Sequence, residues 1–228
     1  MDSLAGWFGI GLEGIPWFGP SYNVAPQSVQ PVVRLNRDSG SREFALLRWG
    51  LVPSWAKDTK LGCSTFNARA EEASKKPAFR EALKTRRCLV PADAFYEWKR
   101  IDPKTKQPFA IALKSGEPCA FAGLWKRWQP RESAALETFT ILTTDPNELM
   151  EPIHNRMPVI LAARDYSRWL DPGDPARPPV DLLRPFPAEK MRAWPVGNRV
   201  GNVRNNSPEL LKPAQDQKDR MVTDDLGL

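Results

Sequence analysis

"CLVPADAFYEWKR" (88–100), "DPKTKQ" (102–107) and "PFAIALKS" (108–115) decide how this chain folds. The outer segments carry apolar, aromatic and branched residues at strand-like spacing, and the middle one concentrates turn formers, so the three read as a β-hairpin. Upstream, "REFALLRWGL" (42–51) has the same strand character. Downstream, "PCAFAGLWKRW" (118–128) and "ETFTILTT" (137–144) extend the series into an expected antiparallel meander. Helical signals are fewer. Ser3 is placed to cap a short helix reaching Trp7, and residues 69–84 read as helical, with Pro77 opening a second turn. Asp145 as cap, Pro146 at the first position and Glu148 at the third predict another helix start, and "ARDYSRWL" (163–170) predicts a further helix. The expected fold class is α+β: a single domain of mostly antiparallel, barrel-like curved sheet with interspersed helices.

A chain of 228 residues is long enough to bury a proper core. Its 41% hydrophobic and 26% charged residues place it with ordinary soluble globular proteins. No apolar run approaches the roughly 20 residues that span a membrane. The opening "MDSLAGWFGIGLEGIPWFG" has no basic leader region, so the expected location is cytoplasmic. "DPGDPARPPV" (171–180) reads as a proline-rich surface loop, and no stretch resembles a linker. We therefore expect one domain over residues 1–213 and a polar, fraying tail over 214–228. Cys63, Cys88 and Cys119 form no CxxC pair, and with one histidine the chain lacks the makings of a zinc site. No metal and no cofactor are expected, and the thiols are read as small buried hydrophobes.

The net charge of +6 favours a polyanionic partner without proving one. Basic residues recur at Lys75, Lys76, Arg80, Lys84, Arg86 and Arg87, then at Lys99 and Arg100, and again at Arg192, Arg199 and Arg204. Nine tryptophans accompany them, and indole beside guanidinium suits single-stranded nucleic acid. On charge alone, a solvated basic face is the better account.

Four strings join a reactive polar side chain to neighbours that fix the backbone: "SYNVAP" (21–26), "FNARAE" (66–71), "FYEWK" (95–99) and "IHNRMP" (153–158). Glu97 sits between Tyr96 and Trp98, with Phe95 and Lys99 as its alternation partners. Packed among aromatics it would hold its proton more tightly and serve as a general acid; alternatively it is a plain exposed strand glutamate. His154, the lone histidine, lies at a junction before the apolar "MPVIL". It is either an acid–base group near neutral pH or a core histidine bonded to a carbonyl. Asn67 orients an amine or carbonyl, or merely caps a helix, and Arg69 shares its side of an extended segment.

Taken together, "YNVAP", "WGLVPSWA", "FNARAE", "RCLVPADAFYEWK", "IHNRMPVIL" and "VGNVRNN" resemble, in order, the blocks of the SOS response-associated peptidase (SRAP) family, also called abasic-site processing proteins. The resemblance runs from Tyr22 to Asn206. It implies a single α+β domain with a barrel-like sheet, a monomer, and single-stranded DNA containing abasic sites as partner. It further implies that an N-terminal cysteine forms a Schiff base with the sugar aldehyde and closes it to a thiazolidine. On that pattern Asn67 holds the amine, Glu97 moves protons on the opening sugar, and His154 assists Schiff-base chemistry and its reversal. Arg69 and Arg156 hold flanking phosphates, and Pro26 and Trp55 wedge or stack where the strand kinks. Asn23, in the first block, joins this DNA-binding set.

One departure stands out. The family start is Met-Cys-Gly-Arg, and here Asp2 occupies the cysteine position. No internal thiol replaces it, because none has an adjacent free amine. We expect a start lying further upstream, with a non-catalytic single-strand binder, a residual Schiff-base lyase and an (auto)peptidase as the alternatives.

Overall fold

The computed structural model describes residues 2–11, 13, 15–130 and 134–214, the side chains of Asp2 and Ser3 excepted. Of the expected tail, only Ala214 falls within them.

Local turn chemistry sets the first two strands. β1 (Val29–Leu35) and β2 (Arg42–Trp49) pair antiparallel from Val29↔Arg48 to Leu35↔Arg42. Between them Asn36 Oδ1 accepts the backbone N–H groups of Asp38 and Ser39 at 2.9 and 3.1 Å, and Gly40 takes a φ of +70°. A side chain that satisfies its own turn and a residue without Cβ in the left-handed region make the reversal local.

The remaining strands are β3 (Asn67–Arg69), β4 (Arg87–Ala92), β5 (Phe95–Arg100), β6 (Lys106–Leu113), β7 (Cys119–Trp128), β8 (Leu136–Thr144), β9 (Met157–Pro158), β10 (Ile160–Leu161) and β11 (Met191–Pro195). The larger sheet runs β10-β7-β4-β1-β2-β8-β3, with β9 on β8, and it curls until β7 also pairs β8. The seams are thin, with one residue pair between β1 and β4 and two between β2 and β8, so the curl stays short of a regular barrel. β8 runs parallel to β2 and β3, making the sheet mixed although most pairs are antiparallel. The fold class is α+β with few helices, as expected.

The meander is not continuous. Residues 88–100 break at Asp93–Ala94 into β4 and β5, and β5, β6 and β11 form a separate sheet in the order β11-β6-β5. The 88–115 hairpin survives as β5–β6, its turn tied by Asp102 Oδ1 accepting the N–H groups of Lys104 and Thr105, each at 2.8 Å. β6 does not go on to pair β7, because both edges of β7 are taken, one by β4 and the other by β8 and β10. β6 is also apolar on two sides. Ile111 packs inside the curl, while Ala110 joins Val196, Val200 and Leu210 in a cluster of its own.

The helices are short: α1 (Asp2–Phe8), α2 (Ala70–Ala73), α3 (Arg80–Thr85) and α4 (Tyr166–Leu170). Ser3 lies within α1 rather than ahead of it. The expected helix over 69–84 is divided, with Pro77, which has no N–H to give, between its halves. The helix expected from Asp145 is a run of turns instead. Asn147 caps it, its Oδ1 accepting the N–H of Met150 at 3.0 Å, while the Asp145 carboxylate is occupied by Arg156. α4 forms where "ARDYSRWL" predicted a helix.

Two apolar clusters flank the curled sheet. One fills the inside of the curl with Val32, Leu47, Cys88, Phe121, Trp125 and Phe139. The other packs α1 and α4 on the outer face, where Phe8, Tyr166 and Trp169 meet Val33, Leu89 and Leu124. Arg87, read from sequence as part of a basic face, is buried here. Its guanidinium donates to the carbonyls of Leu83, Lys84, Trp169 and Asp171 at the ends of α3 and α4. Burial with no carboxylate in its hydrogen-bond set lowers its pKa, and the helix-end carbonyls supply the compensating negative charge. No helix among the described residues is long and apolar enough to cross a membrane.

Candidate functional site

The alternation of β5 sends its residues two ways. Phe95 packs edge-on against Phe121 inside the curl, with ring centroids 5.7 Å apart, and Glu97 follows on the same side. Tyr96 points the other way, and its hydroxyl donates to the Tyr22 carbonyl at 3.0 Å. β8 and the turns after it deliver His154. The His154 N–H bonds the Met150 carbonyl at 2.8 Å, and the ring comes to rest with Nδ1 3.8 Å from Glu97 Oε1. Thus two residues from distant parts of the chain meet where the two sheets adjoin. Burial pushes the Glu97 carboxyl pKa upward, while a protonated His154, the Trp98 N–H and Lys106 pull the other way. The strand glutamate of the simpler reading would be exposed; this one is only a quarter exposed.

His154 is 40% exposed, so it is not a core histidine, although its Nδ1 does lie 3.1 Å from the Arg156 carbonyl. The Arg156 N–H also reaches Nδ1 at 3.2 Å. Donation from that N–H leaves Nδ1 as acceptor and the ring proton on Nε2, whereas donation to the carbonyl demands the opposite tautomer.

Arg156 fixes that backbone. Its guanidinium bonds Asp145 and Glu71, each at 2.8 Å, and the Thr143 carbonyl at 2.7 Å. The Arg156 guanidinium holds the Glu71 carboxyl below its ordinary pKa. Its charge is therefore already met by two carboxylates, and a phosphate approaching it has to compete with them. Through Thr143 the cluster touches β3. β8 lies between β3 and β9, with Arg69 beside Thr143 on one edge and Pro158 beside it on the other. Asn67 and Arg69 are exposed on β3 and line a concavity of about 370 Å³ with Thr65, Glu72 and Lys76; neither Glu97 nor His154 lines it.

The other expected DNA contacts stand differently. The Asn23 amide donates to the carbonyls of Val200, Asn202 and Asn205 at 3.0–3.1 Å, tying the "YNVAP" block to the "VGNVRNN" block. Pro26 is exposed at the first corner of the Ala25–Ser28 turn, and Trp55 is 60% exposed. Sequence reasoning passed over Gln27. It holds a φ of +75° and donates from Nε2 to the Gly62 carbonyl at 2.8 Å, locking that turn to the segment before Asn67. Only the positive φ betrays it, and no sequence rule assigns that to glutamine. The pairing of Glu71 and Asp145 with Arg156 was also missed, since a carboxylate at a turn or a helix start has a local explanation.

Cys88 and Cys119 are buried, and burial pushes both thiols up, Cys119 to about 12. Cys63 is exposed, contrary to expectation, because it ends a surface 3-10 turn (Lys60–Cys63). Among the described residues no group of three or more His, Cys, Asp or Glu is placed to hold a metal.

A curled mixed sheet that gathers these blocks defines a class. The SOS response associated peptidase (SRAP) profile matches residues 4–203, and the chain belongs to that family. Among its relatives, the chain is 50% identical over 196 residues to the abasic site processing protein YoqW of Bacillus subtilis (strain 168), covering 86% of this chain and 87% of that one. It is 36% identical to the abasic site processing protein HMCES of Rattus norvegicus, covering 86% of this chain and 65% of the relative. The crystal structure of a Bacteroides thetaiotaomicron protein matches with a TM-score of 0.74 at 32% identity, over 82% of each chain.

Proposed function

We propose that this chain processes abasic sites in single-stranded DNA, with Glu97 and His154 as its proton-handling pair. The observation that supports this reading above the others is their approach to 3.8 Å, with the Glu97 carboxyl pKa raised by burial. A carboxyl that holds its proton more tightly than an ordinary glutamate is suited to protonate the ring oxygen of the deoxyribose as it opens to the aldehyde. The imidazole beside it then carries protons during Schiff-base formation and hydrolysis. Asn67 presents an amide toward the attacking amine. Arg69 and Arg156 take flanking phosphates, Arg156 by leaving Glu71 or Asp145, and such contacts grip DNA without regard to sequence. Pro26 and Trp55 offer exposed surfaces for a kinked, unstacked strand. Asn23 acts by holding the wall of the site.

The stable thiazolidine needs an amine and a thiol on one residue, and Asp2 behind Met1 does not supply them. A polypeptide of this sequence offers the aldehyde an amine without an adjacent thiol, and an amine alone gives a reducible Schiff base. The test incubates it with an oligonucleotide bearing one abasic site, with and without borohydride. An adduct only under borohydride supports the lyase form. Strand binding with no adduct leaves a non-catalytic binder, and an adduct stable without borohydride overturns the need for an amine and a thiol on one residue. Glu97→Gln should slow adduct formation at least ten-fold, and an unchanged rate removes Glu97 from the chemistry. Cleaved polypeptide without DNA, seen by intact mass, would favour a peptidase.

A further inference from the structure

The opposite end of the curl carries a second charged concavity, which the proposed function does not use. β1, β7 and β8 meet there, and the floor is Trp125, only 7% exposed. Arg34 lies over the indole at 4.3 Å from the ring centroid and pairs with two carboxylates, Glu43 at 2.8 Å and Glu137 at 3.0 Å, which leaves the triad one carboxylate in excess. That triad plugs the curl. Around it stand three more guanidiniums. Arg86 and Arg37 lie 5.3 and 5.6 Å from the same indole, and Arg127 lines the rim. Among the described residues none of these three forms an ion pair with a carboxylate, although Asp38 also lines the hollow and Glu137, bonded to Arg34, still attracts Arg86. Among the described residues the Arg127 guanidinium reaches Gln129, at 3.5 Å.

Three unpaired like charges around one hollow repel one another, and the indole face holds two of them in place. Burial, with Arg37 and Arg127 as like-charged neighbours, pushes the Arg86 pKa down. The hollow measures about 340 Å³, within the roughly 300–1,000 Å³ of small-molecule sites. Apart from Trp125 and Leu35 its lining is polar or charged, which disfavours an apolar guest. Guanidiniums fit the geometry of phosphate oxygens and bond them in pairs.

We propose that this end of the curl is a second, phosphate-binding site, gripped by Arg37, Arg86 and Arg127 over the Trp125 floor. It is separate from the Glu97–His154 site. β8 runs from Glu137 here to Thr143 beside Arg156, a path of about 20 Å at strand rise. The phosphate comes either from a free polyphosphate compound or from the backbone of a DNA strand passing the far side of the protein.

Calorimetric titration of the full chain with inorganic pyrophosphate tests the site, and a fluorescent single-stranded oligonucleotide without an abasic site distinguishes the sources. Arg37→Gln with Arg86→Gln should weaken pyrophosphate binding at least ten-fold. Arg192→Gln with Arg199→Gln, an equal loss of charge elsewhere, should change it less than two-fold. If the first pair also weakens oligonucleotide binding and pyrophosphate competes with the oligonucleotide, the ligand is a DNA backbone. If oligonucleotide binding is unaffected, it is a free polyphosphate. Should that variant fail to melt cooperatively, Arg127→Gln alone replaces it. No pyrophosphate binding by the unaltered chain at millimolar concentration, or equal losses in both variant pairs, overturns the proposal.

Discussion

Gly50→Ala tests how the Gln27 turn is fixed to the segment before Asn67. Gly50 has a φ of +132°, and a Cβ built there would collide with Gln27 Nε2 and with the Gly62 carbonyl oxygen. The first obstacle is a side-chain end already committed to a hydrogen bond, and the second is backbone, so neither yields freely. Holding a non-glycine residue in such a conformation costs on the order of 1–3 kcal/mol. Overpacking adds a further 1–3 kcal/mol or so. Together these give about 2–6 kcal/mol, and for a chain of this size each kcal/mol moves Tm by roughly 2–4 °C. A drop of roughly 4–24 °C is expected in a calorimetric melt. Gly40→Ala is the matched control. It has a φ of +70° but nothing within 4 Å of the added Cβ, so it should bear the backbone cost alone and fall by only a few degrees. If the two variants melt together, or Gly50→Ala melts within about 2 °C of the parent, the Gln27–Gly50–Gly62 contact is not tight and the reasoning fails.

Three further outcomes follow from the site. Glu97 is raised from its ordinary 4.5, so over the window above that value the native state holds more protons than the unfolded state, and stability falls as pH rises. Glu97→Gln cannot ionise; its Tm should match the parent near pH 4, exceed it as pH rises above 4.5 and level off once the native carboxyl has ionised, whereas a pH-independent difference would contradict the burial. Asn23→Ala removes a donor from three carbonyls and should cost about 1–3 kcal/mol, with faster hydrogen exchange confined to residues 198–206. Protection unchanged there would mean that other contacts hold the loop. A thiol reagent should label one cysteine of the native protein, Cys63, and all three after denaturation; two labelled natively would refute the burial of Cys88 or Cys119.

The sequence by itself determined the local elements: the β5–β6 hairpin with its Asp102 turn, the strands β2, β7 and β8, helix α4, and the block order that marks the family. These depend on forces acting over a few residues, such as side-chain alternation, turn hydrogen bonding and a proline without a donor. It also named Glu97 and His154, but only as separate candidates with ordinary alternatives. Tertiary structure alone decided that Glu97 and His154 touch, that Arg156 is already held by Glu71 and Asp145, and that Arg87 serves two helix ends rather than a surface. The same holds for the division of the meander, settled by which edges of β7 were already paired, and for the gathering of arginines around Trp125. Charge pairing and desolvation depend on which groups the whole fold brings within a few ångströms, and sequence spacing carries no record of that.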